Sequence, residues 1–348
     1  MAFLIRRLLY MIPTLFLVLL ITFTIMHAAP GGPWDVDPGS RTADPALQAR
    51  LDRAYGLDKP LFFNPDAAQK ALNDGKGVPQ AIGDFMDAQF WVYLENLVQG
   101  KFGPSYRFRG RQVEEILFES PPDREPWQNR FSATLLLGVL ATGFAILIGF
   151  PLGVIAGLNQ NTWADTISLF FATVFYGIPN FVLAIFLIII FGSWLGWIKI
   201  IELDYWANWN SWILPAFVLS VPTAAWLARL TRASVLEVMR MDYVRTARAK
   251  GLSERAVVLR HILRNSLIPI VTFLGPALAT LIVGSFIIET QFTIVGIGRL
   301  FVESISRRDY STIMALALLY AFFIAIANLS VDLVYGFLDP RIKLGEGN

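Results

Sequence analysis

Residues 131–164 read FSATLLLGVLATGFAILIGFPLGVIAGLNQNTWA, an apolar stretch without Asp, Glu, Lys or Arg that decides the fold class. A bilayer core about 30 Å thick needs about 20 apolar residues in an α-helix, so the stretch can hold one membrane span and part of a turn. Asp165 alone separates it from a second uncharged stretch. We therefore predict two membrane-spanning helices joined by a tight hairpin over residues 159–165.

The composition of the whole chain is that of a membrane protein. Of the 348 residues, 55% are hydrophobic and 16% are charged, and the mean hydropathy is +0.53. A soluble domain of this length is more polar, so we expect an all-α integral membrane protein in a lipid bilayer. Six stretches without charged side chains predict its spans: Leu8–Met26, Phe131–Ala164, Thr166–Ile198, Tyr205–Ala228, Asn265–Ile288 and Tyr310–Val331.

The positions of lysine and arginine predict which side each loop faces. With the N-terminus inside, cytoplasmic segments hold thirteen of these residues and the short outer loops hold four. Because cytoplasmic loops carry the excess, both termini are predicted to be cytoplasmic. A cleaved signal peptide is the alternative for the first span, but the apolar run exceeds the ~7–15 residues usual for such peptides.

Turn-forming and charged residues divide the chain into three predicted parts. Residues 1–29 form an N-terminal membrane helix, residues 30–130 form an extracytoplasmic insertion that we call the cap, and residues 131–348 form a core with five membrane helices. Apolar residues with helical spacing at 47–55 and 85–98 predict a partly helical cap. It is expected to dock a soluble binding protein or to be a loosely ordered loop.

Residues 229–264, here called the basic loop, carry nine Lys or Arg and three acidic residues. Apolar positions predict one helix over 234–250, and Gly251 suits the left-handed residue that follows a helix. Ser253 as N-cap and Glu254 in the first turn predict a second helix. The basic loop is therefore expected to be an L-shaped helical pair joined at Gly251.

The basic loop resembles the EAA loop of ABC importer permeases. The match lies in DYVRTARAKGL at 242–252 and HILRN at 261–265, and it is close to the version found in dipeptide and oligopeptide permeases. The general pattern has Glu and Ala where this chain has Arg245 and Thr246. Seven other segments are similar to the same family: Arg6-Arg7-Leu8, Pro30-Gly31, YGLDKP at 55–60, FGPS at 102–105, the set Glu289, Phe292, Gly296 and Gly298, Arg308-Asp309-Tyr310, and Asp339-Pro340-Arg341. Residues 64–90 have no recognised counterpart.

This resemblance implies the type I ABC importer permease fold and a pore-forming subunit of an ATP-driven peptide importer in the bacterial inner membrane. The implied partners are a second homologous permease, two ATP-binding cassette ATPase subunits and an extracytoplasmic substrate-binding protein. The residues implied to couple this chain to the ATPases are Tyr243, Arg245, Thr246, Ala247, Lys250, Gly251 and Leu252.

The sequence contains no G-x-x-x-x-G-K-[ST] motif for binding ATP phosphates. ATP and Mg²⁺ are therefore expected to be used by partner subunits, and we predict no catalytic residue in this chain. The absence of cysteine and the presence of only two histidines predict no metal site. The small net charge of +2 predicts no nucleic-acid partner.

Candidate residues for the translocation path lie where proline interrupts a span. Tyr176-Gly177-Ile178-Pro179-Asn180 breaks the third span, and Pro276 lies in the fifth. Proline frees backbone groups that must be satisfied in protein or in a wet cavity, so these residues either line the pore or form buried kinks.

Two other functions are compatible with a six-span protein. A proton-coupled secondary carrier should have ionisable groups at mid-membrane and an internal repeat, and we expect neither here. Asp332 adjoins the last span near its inner end. A receptor or assembly scaffold would use the cap and the basic loop for binding only.

Overall fold

The computed structural model describes residues 2–34, 45–197, 199, 202 and 204–338. These residues are helical or in turns, and their only β-type pairing is an isolated bridge between Pro104 and Gln112. The Asp339-Pro340-Arg341 segment lies outside the described residues, as does the side chain of Asp332.

Five helical segments are long and apolar enough to cross a membrane: Ile5–Ala28, Arg130–Leu158, Asn210–Met239, Glu254–Gln291 and Tyr310–Val331. Trp163–Gly177 and Asn180–Trp194 make a sixth span if this bent pair crosses as one. The total agrees with the six predicted spans, while the fourth and fifth extend well into the basic loop. The described helices are α1 (Ala2–Ala28), α2 (Pro45–Tyr55), α3 (Pro65–Asn73), α4 (Val78–Phe85), α5 (Gln89–Val98), α6 (Val113–Phe118), α7 (Arg130–Leu158), α8 (Trp163–Gly177), α9 (Asn180–Leu187), α10 (Asn210–Met239), α11 (Asp242–Ala249), α12 (Glu254–Ala256), α13 (Arg264–Val283), α14 (Phe286–Gln291), α15 (Ile297–Ser306) and α16 (Tyr310–Leu338). Ile188–Trp194 and Val257–Leu263 are π-helical.

The chain forms two compact units, the first of which comprises residues 1–11, 123–299 and 322–348. Its centre is the parallel packing of α7 on α10 through three glycines four residues apart, Gly149, Gly153 and Gly157. A Cβ atom at Gly153 would lie 2.5 Å from both the Ala228 carbonyl oxygen and Thr231 Cβ. Small residues at this spacing let helix backbones approach closely in a membrane, where packing rather than hydrophobicity drives helix association.

The predicted hairpin between the second and third spans is confirmed. α7 ends at Leu158 and α8 begins at Trp163, and Asn161 takes a left-handed conformation with φ of 63°. The Asp165 carboxylate accepts the Asn161 N–H at 2.9 Å and holds the turn. It also forms a bidentate pair with Arg232 of α10, at 2.6 and 2.8 Å, so the hairpin is tied to the fourth span.

The second unit comprises residues 12–122 and 300–321 and contains most of the cap. Phe23 of α1 packs edge-on against Phe62 and Phe90, with ring centroids 5.3 Å apart in both pairs. Ser105 Oγ donates to Asp309 Oδ2 at 2.5 Å, and the Tyr106 N–H donates to Oδ1 at 3.0 Å. Together with five helices, these contacts make the described part of the insertion a packed structure.

The helical spacing expected at 85–98 is confirmed over Gln89–Val98, while residues 86–88 separate this helix from the one before it. α4 ends at Phe85 and α5 begins at Gln89. The Gln89 and Phe90 N–H groups donate to the carbonyls of Pro60 and Leu61 instead of continuing a helix from α4. Residues 64–90, which had no recognised counterpart, contain the helix pair α3 and α4.

Candidate functional site

The basic loop contains a short helix that folds back on the end of the fourth span. The single helix expected over 234–250 is wrong, because α10 continues to Met239, Met241 is extended, and α11 begins at Asp242. This break lets Val244 and Ala247 of α11 pack in one buried cluster with the valines that end α10. A continuous helix would carry those apolar side chains into water, so burial favours the break.

The predicted turn at Gly251 is confirmed. Gly251 has a φ of 77°, a conformation that side-chain-bearing residues rarely adopt. Its N–H donates to the Arg248 carbonyl at 2.9 Å, and Arg248 forms a bidentate ion pair with Glu254 across the turn, at 2.5 and 3.1 Å. Ser253 occupies the expected N-cap position, although its side chain makes no capping hydrogen bond. The helix that follows continues into the fifth span.

Most of the residues expected to couple this chain to ATPases lie on one exposed surface. Tyr243 is 42% exposed and Leu252 is 44% exposed. Arg245, Thr246, Lys250 and Gly251 are also exposed, whereas Ala247 is buried. α11 and the turn that follows it, here together called the outer face of α11, therefore present an apolar and basic surface above a buried apolar anchor.

The third span is broken at the predicted position. α8 ends at Gly177 and α9 begins at Asn180, with a bend of 101° between the two segments. Tyr176 and Pro179 are exposed and Asn180 is half-buried, so three of the candidate path residues lie together at the break. Pro276 is exposed on a different helix, α13.

A buried carboxylate lies at the end of the fifth span. Glu289 is fully buried. Its Oε1 accepts hydrogen bonds from Thr134 Oγ1 and Ser285 Oγ, both at 2.6 Å, and its Oε2 accepts the Arg299 N–H at 2.8 Å. A Cβ atom at Gly298 would lie 3.0 Å from both carboxylate oxygens, which explains the glycine there. Hydrogen bonds to both oxygens make this carboxylate a link between α7 and the segment after α14.

The sequence contains a signal for the burial of Glu289, which the sequence analysis used only for the family resemblance. Glu289 directly follows the fifth uncharged stretch, and Gly296 and Gly298 come shortly after it. An acidic residue next to an apolar run, followed by closely spaced glycines, is compatible with a carboxylate approached by backbone amides.

This architecture is that of a membrane permease subunit: a polytopic helical protein with a broken span and with an exposed helical loop between its fourth and fifth spans. The comparisons with known proteins narrow this class. The chain belongs to the family of binding-protein-dependent transport system inner membrane components, whose model matches residues 149–344.

Relatives over the full length agree with this family. The oligopeptide transport system permease protein OppB of Haemophilus influenzae is 33% identical over 98% of this chain and 99% of its own length. The glutathione transport system permease protein GsiC of Escherichia coli K12 is 36% identical over 98% of both chains. The expected resemblance to dipeptide and oligopeptide permeases is confirmed, and the chain is a multi-pass inner-membrane permease subunit of an ABC importer.

A solved structure shares the fold. An inward-facing structure of the MetNI methionine ABC transporter superposes with a TM-score of 0.50 at 19% identity, covering 60% of this chain and 93% of the other. The expected type I importer permease fold is thereby confirmed.

Proposed function

We propose that this chain conducts peptides or peptide-like solutes through the pore of an ATP-driven importer. The full-length similarity to relatives named for oligopeptide and for glutathione transport supports a cargo with peptide bonds. The similarity includes the cap, which is expected to receive cargo from an extracytoplasmic binding protein.

The proposed assembly contains this chain, a second homologous permease, two ATPase subunits and the binding protein. The absence of a phosphate-binding motif in this chain supports ATP and Mg²⁺ binding by the ATPases. The excess of Lys and Arg on the predicted inner side supports cytoplasmic termini and a basic loop on the same side as the ATPases. The division into residues 1–29, 30–130 and 131–348 stays a prediction.

The outer face of α11 is the single observation that carries the coupling role. Tyr243 and Leu252 offer apolar contact area, and Arg245 and Lys250 offer charge, while buried Val244 holds the helix to the fourth span. An apolar and charged surface of this kind suits docking to another subunit. A docked ATPase that moves α11 would also move α10, because Val244 packs against the end of α10.

Two charge reversals with a matched control test the coupling role. Arg245→Glu with Lys250→Glu changes the outer face of α11 and leaves its buried side intact. Lys70→Glu with Lys76→Glu makes the same change of charge at exposed positions of the cap. Complexes of permease and ATPases are reconstituted in vesicles, and subunit assembly, ATP hydrolysis and peptide uptake are measured.

We expect the α11 variant to lose assembly or to lower stimulated ATP hydrolysis by about tenfold or more, since reversed interface charges repel. The cap variant should keep subunit assembly. Normal assembly and hydrolysis in the α11 variant, with uptake that follows a proton gradient, would refute the coupling role and favour a secondary carrier.

A further inference from the structure

An arginine inside the fourth span has an aromatic partner and no observed anionic one. The Arg229 guanidinium lies 4.3 Å from the ring centroid of Tyr176, beside the break in the third span. Among the described residues, none of the ion pairs within 4.0 Å involves Arg229. Arg232, one turn later, is by contrast paired with Asp165.

The packing of α7 on α10 shows where Arg229 lies along the fourth span. Gly153 meets the Ala228 carbonyl, so Arg229 is level with a point about five residues before the end of α7 at Leu158. At 1.5 Å per residue, this is about 7 Å from the end of α7. An arginine at this level that contacts an aromatic ring is a candidate functional group.

The break in the third span is compatible with a water-filled cavity on this side. The missing proline N–H and the 101° bend interrupt the helical hydrogen bonds around Pro179. Irregular backbone at membrane depth is tolerated where it is buried in protein or lines a cavity. Tyr176 is 51% exposed at this break and Arg229 is half-buried, so the pair lies at the surface of this chain.

We propose that Arg229 and Tyr176 form an anion site in the translocation path that binds the free carboxylate of the cargo. This inference rests on the proposed peptide function and adds the cargo feature that is recognised. The Tyr176 ring covers one face of the guanidinium, whose edge can still donate two parallel N–H bonds to a carboxylate. The site discriminates a peptide acid from its C-terminal amide.

A single cysteine can report on this site because the chain has none of its own. Thr173 is exposed one turn before Tyr176 on the same face of α8. In Thr173→Cys complexes of permease and ATPases, labelling rates are compared for a sulfonate-bearing and a trimethylammonium-bearing methanethiosulfonate. Each rate is normalised to that of a free thiol.

We expect the anionic reagent to react about tenfold faster than the cationic one. The positive charge of Arg229, several ångströms from the thiol, attracts the anion and repels the cation, and the surroundings screen this effect only partly. Adding Arg229→Gln should abolish the preference, and adding Arg229→Lys should retain it. Trialanine should slow the labelling of Thr173→Cys and its C-terminal amide should not. The lysine variant should lose this protection because it lacks the bidentate geometry.

Several results would overturn the site. Equal normalised rates with and without Arg229 would show that no anion-attracting charge is present. Reaction only with an uncharged, membrane-permeant maleimide would place this face in lipid, and equal protection by the acid and the amide would refute carboxylate recognition. If the complex shows the anion preference but no ATP-dependent uptake of trialanine, the peptide cargo is refuted and the anion site is not.

Discussion

A methyl group added at Gly153 is expected to destabilise the packing of the second span on the fourth. The new Cβ would lie 2.5 Å from the Ala228 carbonyl oxygen and from Thr231 Cβ, which is closer than real Cβ contacts. Since the obstructing oxygen belongs to the backbone, α10 must shift as a whole. Overpacking of this kind costs about 1–3 kcal/mol, and the better helix propensity of alanine returns at most about 1 kcal/mol. We expect Gly153→Ala to lower the free energy of unfolding by roughly 1–2 kcal/mol.

Gly143→Ala is the matched control. Gly143 lies in the same helix, and a Cβ there would meet nothing within 4 Å, so this variant should be as stable as the parent or slightly more stable. The assay is reversible unfolding in mixed micelles, followed by circular dichroism. Equal stability of the Gly153 and Gly143 variants would refute the close approach of the two helices.

Two further predictions concern the buried polar groups of the first unit. Asp165→Asn leaves the Arg232 guanidinium without its bidentate partner and should lower the free energy of unfolding by roughly 3 kcal/mol in the same assay. Adding Arg232→Gln should restore part of this loss. Full additivity of the two changes would show that the pair does not interact. Glu289→Gln places an NH₂ group among three hydrogen-bond donors and should cost roughly 1.5–3 kcal/mol. Unchanged stability of Glu289→Gln would contradict the carboxylate network, and Glu289→Asp, which keeps the charge on a shorter side chain, is its control.

Several features of the fold could be predicted from the sequence because each depends on a local property. The uncharged stretches mark the membrane spans, since every polar group left in lipid is costly. Gly251 predicts a left-handed turn because residues with a side chain rarely adopt that conformation. Pro179 predicts the break in the third span because it lacks the N–H that the helix needs.

Two helix boundaries were missed because residues distant in sequence decide them. The spacing of apolar residues over 234–250 is helical on both sides of Met241, so periodicity alone continues one helix through it. The break exists because Val244 and Ala247 gain burial against the end of α10. At Gln89 and Phe90, the carbonyls of 60–61 take hydrogen bonds that a continuous helix would have used.

By itself, the sequence determines the class of this protein, its number of spans and the loop that carries the family resemblance. Tertiary structure alone decides which polar side chains meet. Thr134 and Glu289 are 155 positions apart and Asp165 and Arg232 are 67 apart. The cation–π pair of Arg229 and Tyr176 likewise joins two different helices. Apolar periodicity reports only the face that a helix buries, whereas a hydrogen bond needs atoms placed within about 3 Å, and helix packing fixes that placement.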